Sequence, residues 1–211
     1  MDKFTIHQGI AAPLLRINVD TDAIIPSREM KRVSKEGLGE GLFAGWRYTE
    51  VGGRDLNPDF VLNQAPYKGA SILLSGANFG AGSSREHAVW ALKEYGFRAI
   101  VAPSFGAIFY NNCVRNGLLP IRLPDGVVKD LADQVEADPQ ARQITIDLER
   151  CVVVAPDGTE HAFDIARGDR EMLLGGLDMI GLTLKHKEAI DAFAAKDREA
   201  RPWVYGDFGQ D

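Results

Sequence analysis

Cysteine is scarce in this sequence of 211 residues, and the scarcity limits its metal chemistry. The two cysteines, Cys113 and Cys151, are too few and too distant for a disulfide framework, and neither lies in a CxxC pattern. A structural zinc site typically needs four ligands, and an iron–sulfur cluster usually needs three or four thiolates. Two isolated cysteines can hold neither alone, so any cluster must come from elsewhere.

Basic charge and long apolar runs are also lacking. The formal net charge is -6, and no basic stripe is present of the kind that neutralises phosphates, which argues against a nucleic-acid or anionic-membrane surface. The longest apolar runs, such as residues 151–155, fall far short of the roughly 20 residues that span a bilayer. The first ten residues contain Asp2 beside Lys3 and no continuous apolar segment, so we expect no secretory signal and a cytoplasmic protein.

The remaining composition, 45% hydrophobic and 26% charged, is that of a globular protein, and we expect one domain over residues 1–211. Strand, helix, strand, helix and strand follow one another between residues 69 and 121, which predicts an α/β fold with a parallel sheet and right-handed crossovers. Ligands bind at the carboxyl ends of such strands. Further predicted elements are a strand over 14–19, an acidic helix over 127–137, a strand over 144–148, a peripheral hairpin turning at Asp157-Gly158, and a helix over 184–198.

Two segments stand apart from this pattern. The glycines between residues 34 and 58 predict a long loop that acts as a lid, and we expect residues 28–58 to be mobile in the isolated chain. The C-terminal helix and tail, residues 184–211, carry Trp203, Tyr205 and Phe208, which either dock onto a partner or pack back on the domain.

The stretch GANFGAGSSREH, residues 76–87, joins a predicted strand to a predicted helix. A glycine-rich turn brings bare N–H groups to the positive end of a helix, which favours an anion. Ser83 or Ser84 can cap the helix, and Arg85 supplies a two-pronged donor for carboxylate or phosphate. A cation in the first helical turn is unfavourable, so the pattern predicts a negative group nearby.

Several known phosphate and hydrolase motifs are absent from this loop. No lysine follows Gly82 as a P-loop requires, and neither GxGxxG nor GxSxG is present, so a carboxylate ligand is favoured. A purely structural turn with a capping serine fits the local pattern equally well. Asp20 and Asp22 are by default turn formers, although two close carboxylates can also orient a base or bind a cation.

Three ordered motifs carry a family resemblance: NVDTDAIIP at 18–26, GANFGAGSSREHA at 76–88, and APSFGAIFYNN at 102–112 with NGLLP at 116–120. Together they closely resemble the small subunits of the 3-isopropylmalate dehydratase family, in the aconitase superfamily. The resemblance implies a swivelling β/β/α domain made as a separate chain. It also implies a partner large subunit that holds a [4Fe-4S] cluster, and isomerisation of 2-isopropylmalate to 3-isopropylmalate by loss and return of water in leucine biosynthesis.

The resemblance also implies roles for particular residues. It makes Ser83 the base, with Ser84 and Arg85 contacting the substrate carboxylate and Asp22 completing the catalytic set. Arg28 and Lys31 follow the first motif and are expected to approach the substrate. Ala81 stands where many relatives carry cysteine. The same motifs also suit a homoaconitate, citraconate or dimethylmalate hydro-lyase subunit, and a non-catalytic carboxylate-binding assembly module remains an alternative of another class.

Overall fold

A computed structural model describes residues 1–30, 37–82 and 85–206 and contains two four-stranded sheets. The strands are β1 Ile6–Gly9, β2 Ala11–Leu14, β3 Ile72–Ser75, β4 Ala99–Ala102, β5 Leu119–Arg122, β6 Ile144–Asp147, β7 Val152–Val154 and β8 Glu160–Ala162. The helices are α1 Thr21–Ile24, α2 Ala44–Arg47, α3 His87–Tyr95, α4 Ala107–Arg115, α5 Asp125–Glu136, α6 Arg167–Gly175, α7 Met179–Leu184 and α8 Lys187–Ala200. Short 3-10 turns lie at Ser27–Glu29, Gly39–Gly41, Val61–Asn63, Ala65–Tyr67 and Pro202–Tyr205.

One sheet is parallel, in the order β2-β3-β4-β5, as the alternation of strands and helices predicts. β3 and β4 are buried along their whole length because they run through the centre of this sheet. α3 connects β3 to β4, and α4 connects β4 to β5. The α/β prediction for this region is therefore confirmed.

The second sheet is antiparallel, in the order β1-β6-β7-β8, with the predicted hairpin β7–β8 at one edge. The chain passes from this sheet to the parallel one between Gly9 and Ala11. A Cβ on Gly9 would lie 2.0 Å from the Oγ of Ser71, so a larger residue at this crossing would have to displace that hydroxyl. His7 Nε2 lies 2.8 Å from the same Oγ and joins the two sheets by a hydrogen bond.

The early strand predicted over residues 14–19 is wrong in its position. The strand is β2, and it ends at Leu14. Beyond it, Leu15 and Ile17 are exposed and Asn18 adopts a φ of 54°, so the chain turns away from the sheet. The apolar residues that suggested a strand belong instead to the loop that leads to α1.

Part of the predicted loop is folded onto the body of the protein. Leu38, Leu42, Phe43 and Ala44 are buried within the short helical turns that follow residue 37. The mobility expected for residues 28–58 stays a prediction, and residues 31–36 lie outside the described residues.

The C-terminal helices lie at the surface. No residue of α7 or α8 is buried, and two residues separate the end of α7 from the start of α8. The predicted helix over 184–198 thus corresponds mainly to α8. None of the helices within residues 1–30, 37–82 and 85–206 combines the length and the apolar content needed to cross a membrane.

Candidate active site

Three loops lie side by side just beyond the carboxyl ends of β2, β3 and β4. The N–H of Asn18 donates to the carbonyl of Ala77 at 2.9 Å, and the N–H of Gly80 donates to the carbonyl of Val19 at 2.7 Å. The N–H of Thr21 donates to the carbonyl of Ala81 at 3.0 Å. These bonds fix the first motif against the second.

The second motif is joined in the same way to the third. The N–H of Phe79 donates to the carbonyl of Ser104 at 3.0 Å, and the N–H of Gly106 donates to the carbonyl of Phe79 at 2.9 Å. A Cβ on Gly106 would lie 2.5 Å from the carbonyl oxygen of Gly80, so the two loops touch through bare backbone. All three predicted motifs therefore meet at one edge of the parallel sheet, where ligands of such sheets bind.

Asp22 and Arg85, 63 residues apart in the sequence, form an ion pair at this edge. Arg85 Nη1 donates to Asp22 Oδ1, and Arg85 Nη2 lies 3.4 Å from Asp22 Oδ2. Asp22 lies in α1, and Arg85 lies two residues before α3. The negative group that Arg85 was predicted to require is thus present within the chain.

The pair shifts the titration of the carboxylate. The hydrogen bond and charge of Arg85, with a smaller contribution from the hydroxyl of Ser27, hold the pKa of Asp22 below its ordinary value. Asp22 is therefore ionised at neutral pH and able to orient the guanidinium. Asp20, by contrast, caps α1 by accepting from the N–H of Ala23 at 2.7 Å, the turn-forming role expected for it by default.

The structure does not bring every predicted site residue to this pair. Arg28 lies beside its neighbour Glu29, with Nε 3.5 Å from Oε1. Its Nε and Nη2 are buried and have no hydrogen-bond partner in the described part of the chain. Ser83, Ser84 and Lys31 lie outside the described residues, so the roles predicted for them stay predictions.

Sequence reasoning missed two features near the pair. Ser27 contacts both Asp22 and Arg85, although only its position directly after Pro26 could have suggested this. A cleft of about 580 Å³ opens next to Asp20 and Ala23 and is bounded by Arg16 and Trp46, with the guanidinium carbon of Arg16 4.4 Å from the centre of the Trp46 ring. Neither residue belongs to a motif.

The described residues do not fit an iron–sulfur cluster. Residues 1–30, 37–82 and 85–206 contain no group of three histidine, cysteine or acidic side chains able to hold a metal. Cys113 is buried on α4, and burial raises the pKa of its thiol well above the ordinary value, which disfavours a ligating thiolate. Cys151 belongs to the turn between β6 and β7, where its Sγ lies 3.4 Å from the carbonyl oxygen of Leu148.

Family models match most of the chain. An aconitase C-terminal domain model matches residues 1–126, and a model described as LeuD_N matches residues 129–166. A model of the C-terminal domain of 3-isopropylmalate dehydratase small subunits matches residues 179–207. A 3-isopropylmalate dehydratase small subunit of Cupriavidus necator is 64% identical over 98% of this chain and all of its own length.

The chain belongs to the 3-isopropylmalate dehydratase small-subunit family. A family member from Methylibium petroleiphilum is 54% identical over 97% of both chains. The crystal structure of a 3-isopropylmalate dehydratase (leuD) from Methanocaldococcus jannaschii is 28% identical, with a TM-score of 0.64 over 90% of this chain and 99% of that one. The predicted aconitase-type α/β fold is thereby confirmed, and so is the assignment to a family of hydro-lyase subunits.

Proposed function

We propose that this chain is the small subunit of a cytoplasmic 3-isopropylmalate dehydratase that isomerises 2-isopropylmalate to 3-isopropylmalate by removing and returning water. It acts only with a large subunit, to which we assign the [4Fe-4S] cluster. The assignment to a partner is supported by the lack of a suitable ligand set among the described residues of this chain. When bound, such a cluster supplies a Lewis acid for hydroxyl and carboxylate oxygens.

The observation that carries the proposal is the Asp22–Arg85 pair at the meeting point of the three motifs. A guanidinium has five N–H donors. Within the described residues, Arg85 uses Nη1 for Asp22 Oδ1 and Ser27 Oγ and one N–H of Nη2 for Asp22 Oδ2. Its Nε–H and one N–H of Nη2 thus have no acceptor among the described residues, which suits a substrate carboxylate.

We assign the base to Ser83, with Ser84 and Arg85 contacting the substrate and Asp22 holding Arg85 in place. Ser83 accepts the proton from the carbon next to the leaving hydroxyl and returns it during rehydration. Positive charge from Arg85 makes this possible, because it favours the deprotonated form of a neighbouring hydroxyl. Arg28 and Lys31 are assigned to contacts with the rest of the substrate, and Arg28 Nη2, which has no hydrogen-bond partner among the described residues, supports that role for Arg28.

Reconstitution with the large subunit, a complete cluster and 2-isopropylmalate tests the proposal. We expect the complex to turn over and each chain alone to be inactive. In the complex, Ser83→Ala should lower kcat by about 10²- to 10⁴-fold, the usual contribution of a general base. Thr183→Ala, which removes an exposed hydroxyl from α7, should leave kcat unchanged.

Measuring binding of the large subunit distinguishes a loss of catalysis from a loss of assembly. Ser83→Ala should leave this binding unchanged. Full turnover by that variant would show that Ser83 is not the base and would favour a non-catalytic module. Comparison of 2-isopropylmalate with homoaconitate, citraconate and dimethylmalate substrates in the same complex would expose a wrong substrate assignment.

A further inference from the structure

Ser27 lies between the two charged side chains of the candidate site. Its hydroxyl Oγ is 3.2 Å from Asp22 Oδ1 and 3.2 Å from Arg85 Nη1. A serine hydroxyl has one donor and two acceptor lone pairs, so it can donate to the carboxylate and accept from the guanidinium at the same time. Ser27 is thus a third member of the Asp22–Arg85 pair.

The ion pair needs such a third contact because the second of its two hydrogen bonds is long. Arg85 Nη1 donates to Asp22 Oδ1, but Arg85 Nη2 lies 3.4 Å from Asp22 Oδ2. Asp22 alone therefore forms an asymmetric bidentate pair with Arg85. In such a pair the guanidinium plane can rotate about the Nη1 contact. The side chain of Asp22 is also 55% exposed, and exposed ion pairs hold their geometry weakly.

The position of Ser27 is fixed by contacts of the 3-10 turn in which it lies. Ser27 opens a 3-10 turn in which the N–H of Glu29 donates to the carbonyl of Pro26 at 2.8 Å. The carboxylate of Glu29, only 8% exposed, accepts from Arg54 Nη2 at 2.7 Å. A Cβ on Gly41 would lie 2.7 Å from the Cβ of Glu29, so the backbone of Gly41 packs directly against the turn Ser27–Glu29. The contacts of Glu29 with Arg54 and Gly41 therefore hold in place the turn that carries the Ser27 hydroxyl.

We propose that Ser27 is a positioning residue that fixes the orientation of the Arg85 guanidinium toward the substrate. This inference rests on the proposed function, in which Arg85 binds the substrate carboxylate. It adds a residue outside the three motifs and links the turn Ser27–Glu29 to the candidate catalytic pair. Ser27 itself contacts no reacting atom.

The enzymatic arm of the test uses the complex with the large subunit and compares Ser27→Ala with Ser27→Thr. Loss of one hydrogen bond to a charged pair should lower kcat/KM by about three- to tenfold in Ser27→Ala. Ser27→Thr keeps the hydroxyl and should stay within about twofold of the unchanged complex. Equal losses in the two variants, or no loss in Ser27→Ala, would overturn the proposal.

A second arm needs neither the partner nor turnover. In the isolated chain, NMR signals of the Arg85 guanidinium report its rotation, and a pH titration of the Asp22 carboxyl reports its hydrogen bonds. Ser27→Ala should speed the exchange of the guanidinium N–H signals and raise the pKa of Asp22, and Ser27→Thr should restore both. Unchanged signals in Ser27→Ala would refute the positioning role.

The two measurements distinguish a failure of the proposed function from a failure of the positioning role. If the complex shows no turnover but Ser27→Ala releases the Arg85 guanidinium, the proposed function is wrong and the positioning contact stands. If turnover is normal and the guanidinium is indifferent to Ser27, the positioning role is wrong and the proposed function stands.

Discussion

At the scale of single residues, Gly80 is constrained both by its backbone conformation and by a close neighbour. Its φ is 72°, and an added Cβ would lie 2.1 Å from the Cγ of Phe109 on α4. We expect Gly80→Ala to lower the free energy of unfolding by about 2–4 kcal/mol, because both backbone strain and overpacking act at once. Chemical denaturation of the isolated chain measures this loss.

A matched glycine provides the control for that substitution. Gly126 lies in α5, where an added Cβ would meet nothing within 4 Å and φ is not positive. Gly126→Ala should therefore leave stability unchanged or raise it by about 0.5–1 kcal/mol through helix propensity. Equal effects of the two substitutions would show that the approach of Phe109 does not constrain Gly80.

The contacts of Arg85 could be predicted only in part from the sequence. The sequence placed Arg85 in the first turn of a helix, where a cation is unfavourable, and so predicted a negative neighbour. The placement is wrong, because α3 begins at His87 after the cap residue Glu86, but the negative neighbour is present. The identity of the neighbour, Asp22, depended on the resemblance, because no local pattern joins residues 63 apart. Ser27 was not predicted at all, since its role arises only when the turn after Pro26 folds beside the pair.

At the scale of elements, α3 connects the candidate site to the segment that follows residue 37. The carboxylate of Glu94, near the end of α3, accepts from the N–H of Gly37 at 2.6 Å and from that of Gly39 at 2.8 Å. Burial acts to raise the pKa of Glu94, but these N–H groups and that of Leu38 outweigh it and hold the pKa below its ordinary value. Glu94 thus anchors residues 37–39, which lie within the predicted lid.

Replacing Glu94 by glutamine tests this anchor. We expect Glu94→Gln to lower the free energy of unfolding by about 0.5 kcal/mol at neutral pH, because Glu94 is exposed and solvent screens its charge, and to speed amide exchange at residues 37–39. Because the folded-state pKa is depressed, the contribution of Glu94 is fully present above the unfolded-state pKa, about 4.3, and is lost as pH falls through the folded-state value. The stability difference between the two proteins should therefore vanish in acid.

The exposed residue Glu188, on α8, supplies the comparison. Glu188→Gln should change neither stability at neutral pH nor exchange at residues 37–39. A difference between wild type and Glu94→Gln that persists undiminished below the folded-state pKa would show that the carboxylate charge is not the source of the effect.

Elements with a strong hydrophobic pattern were predicted well, and those defined by tertiary contacts were not. α3 was found because its buried residues recur at helical spacing and Gly96, at a φ of 121°, ends it. β1, the sequence IHQG, has no apolar run and gains its identity only by pairing with β6. α6, with four charged residues in nine, was missed because its apolar stripe is limited to a short buried patch.

At the scale of the whole molecule, the core and the C-terminal arm, residues 179–206, differ in how far their apolar side chains are buried. The apolar core lies around the parallel sheet and its helices and extends to Leu173 on α6. In the arm, eight large apolar side chains are exposed: Met179, Ile180, Leu184, Ile190, Phe193, Trp203, Val204 and Tyr205. Trp203 and Tyr205, expected either to dock onto a partner or to pack back on the domain, are exposed in the structure, and Phe208 lies outside the described residues.

Because no residue of α7 or α8 is buried, the arm should add little to the stability of the isolated chain. We expect a protein ending at residue 178 to melt within about 3 °C of the full chain, a shift that corresponds to about 1 kcal/mol for a domain of this size. It should also bind less of a hydrophobic dye, since the exposed apolar side chains are removed. A fall in melting temperature of about 10 °C or more, or a rise in dye binding, would show instead that the arm covers part of the core.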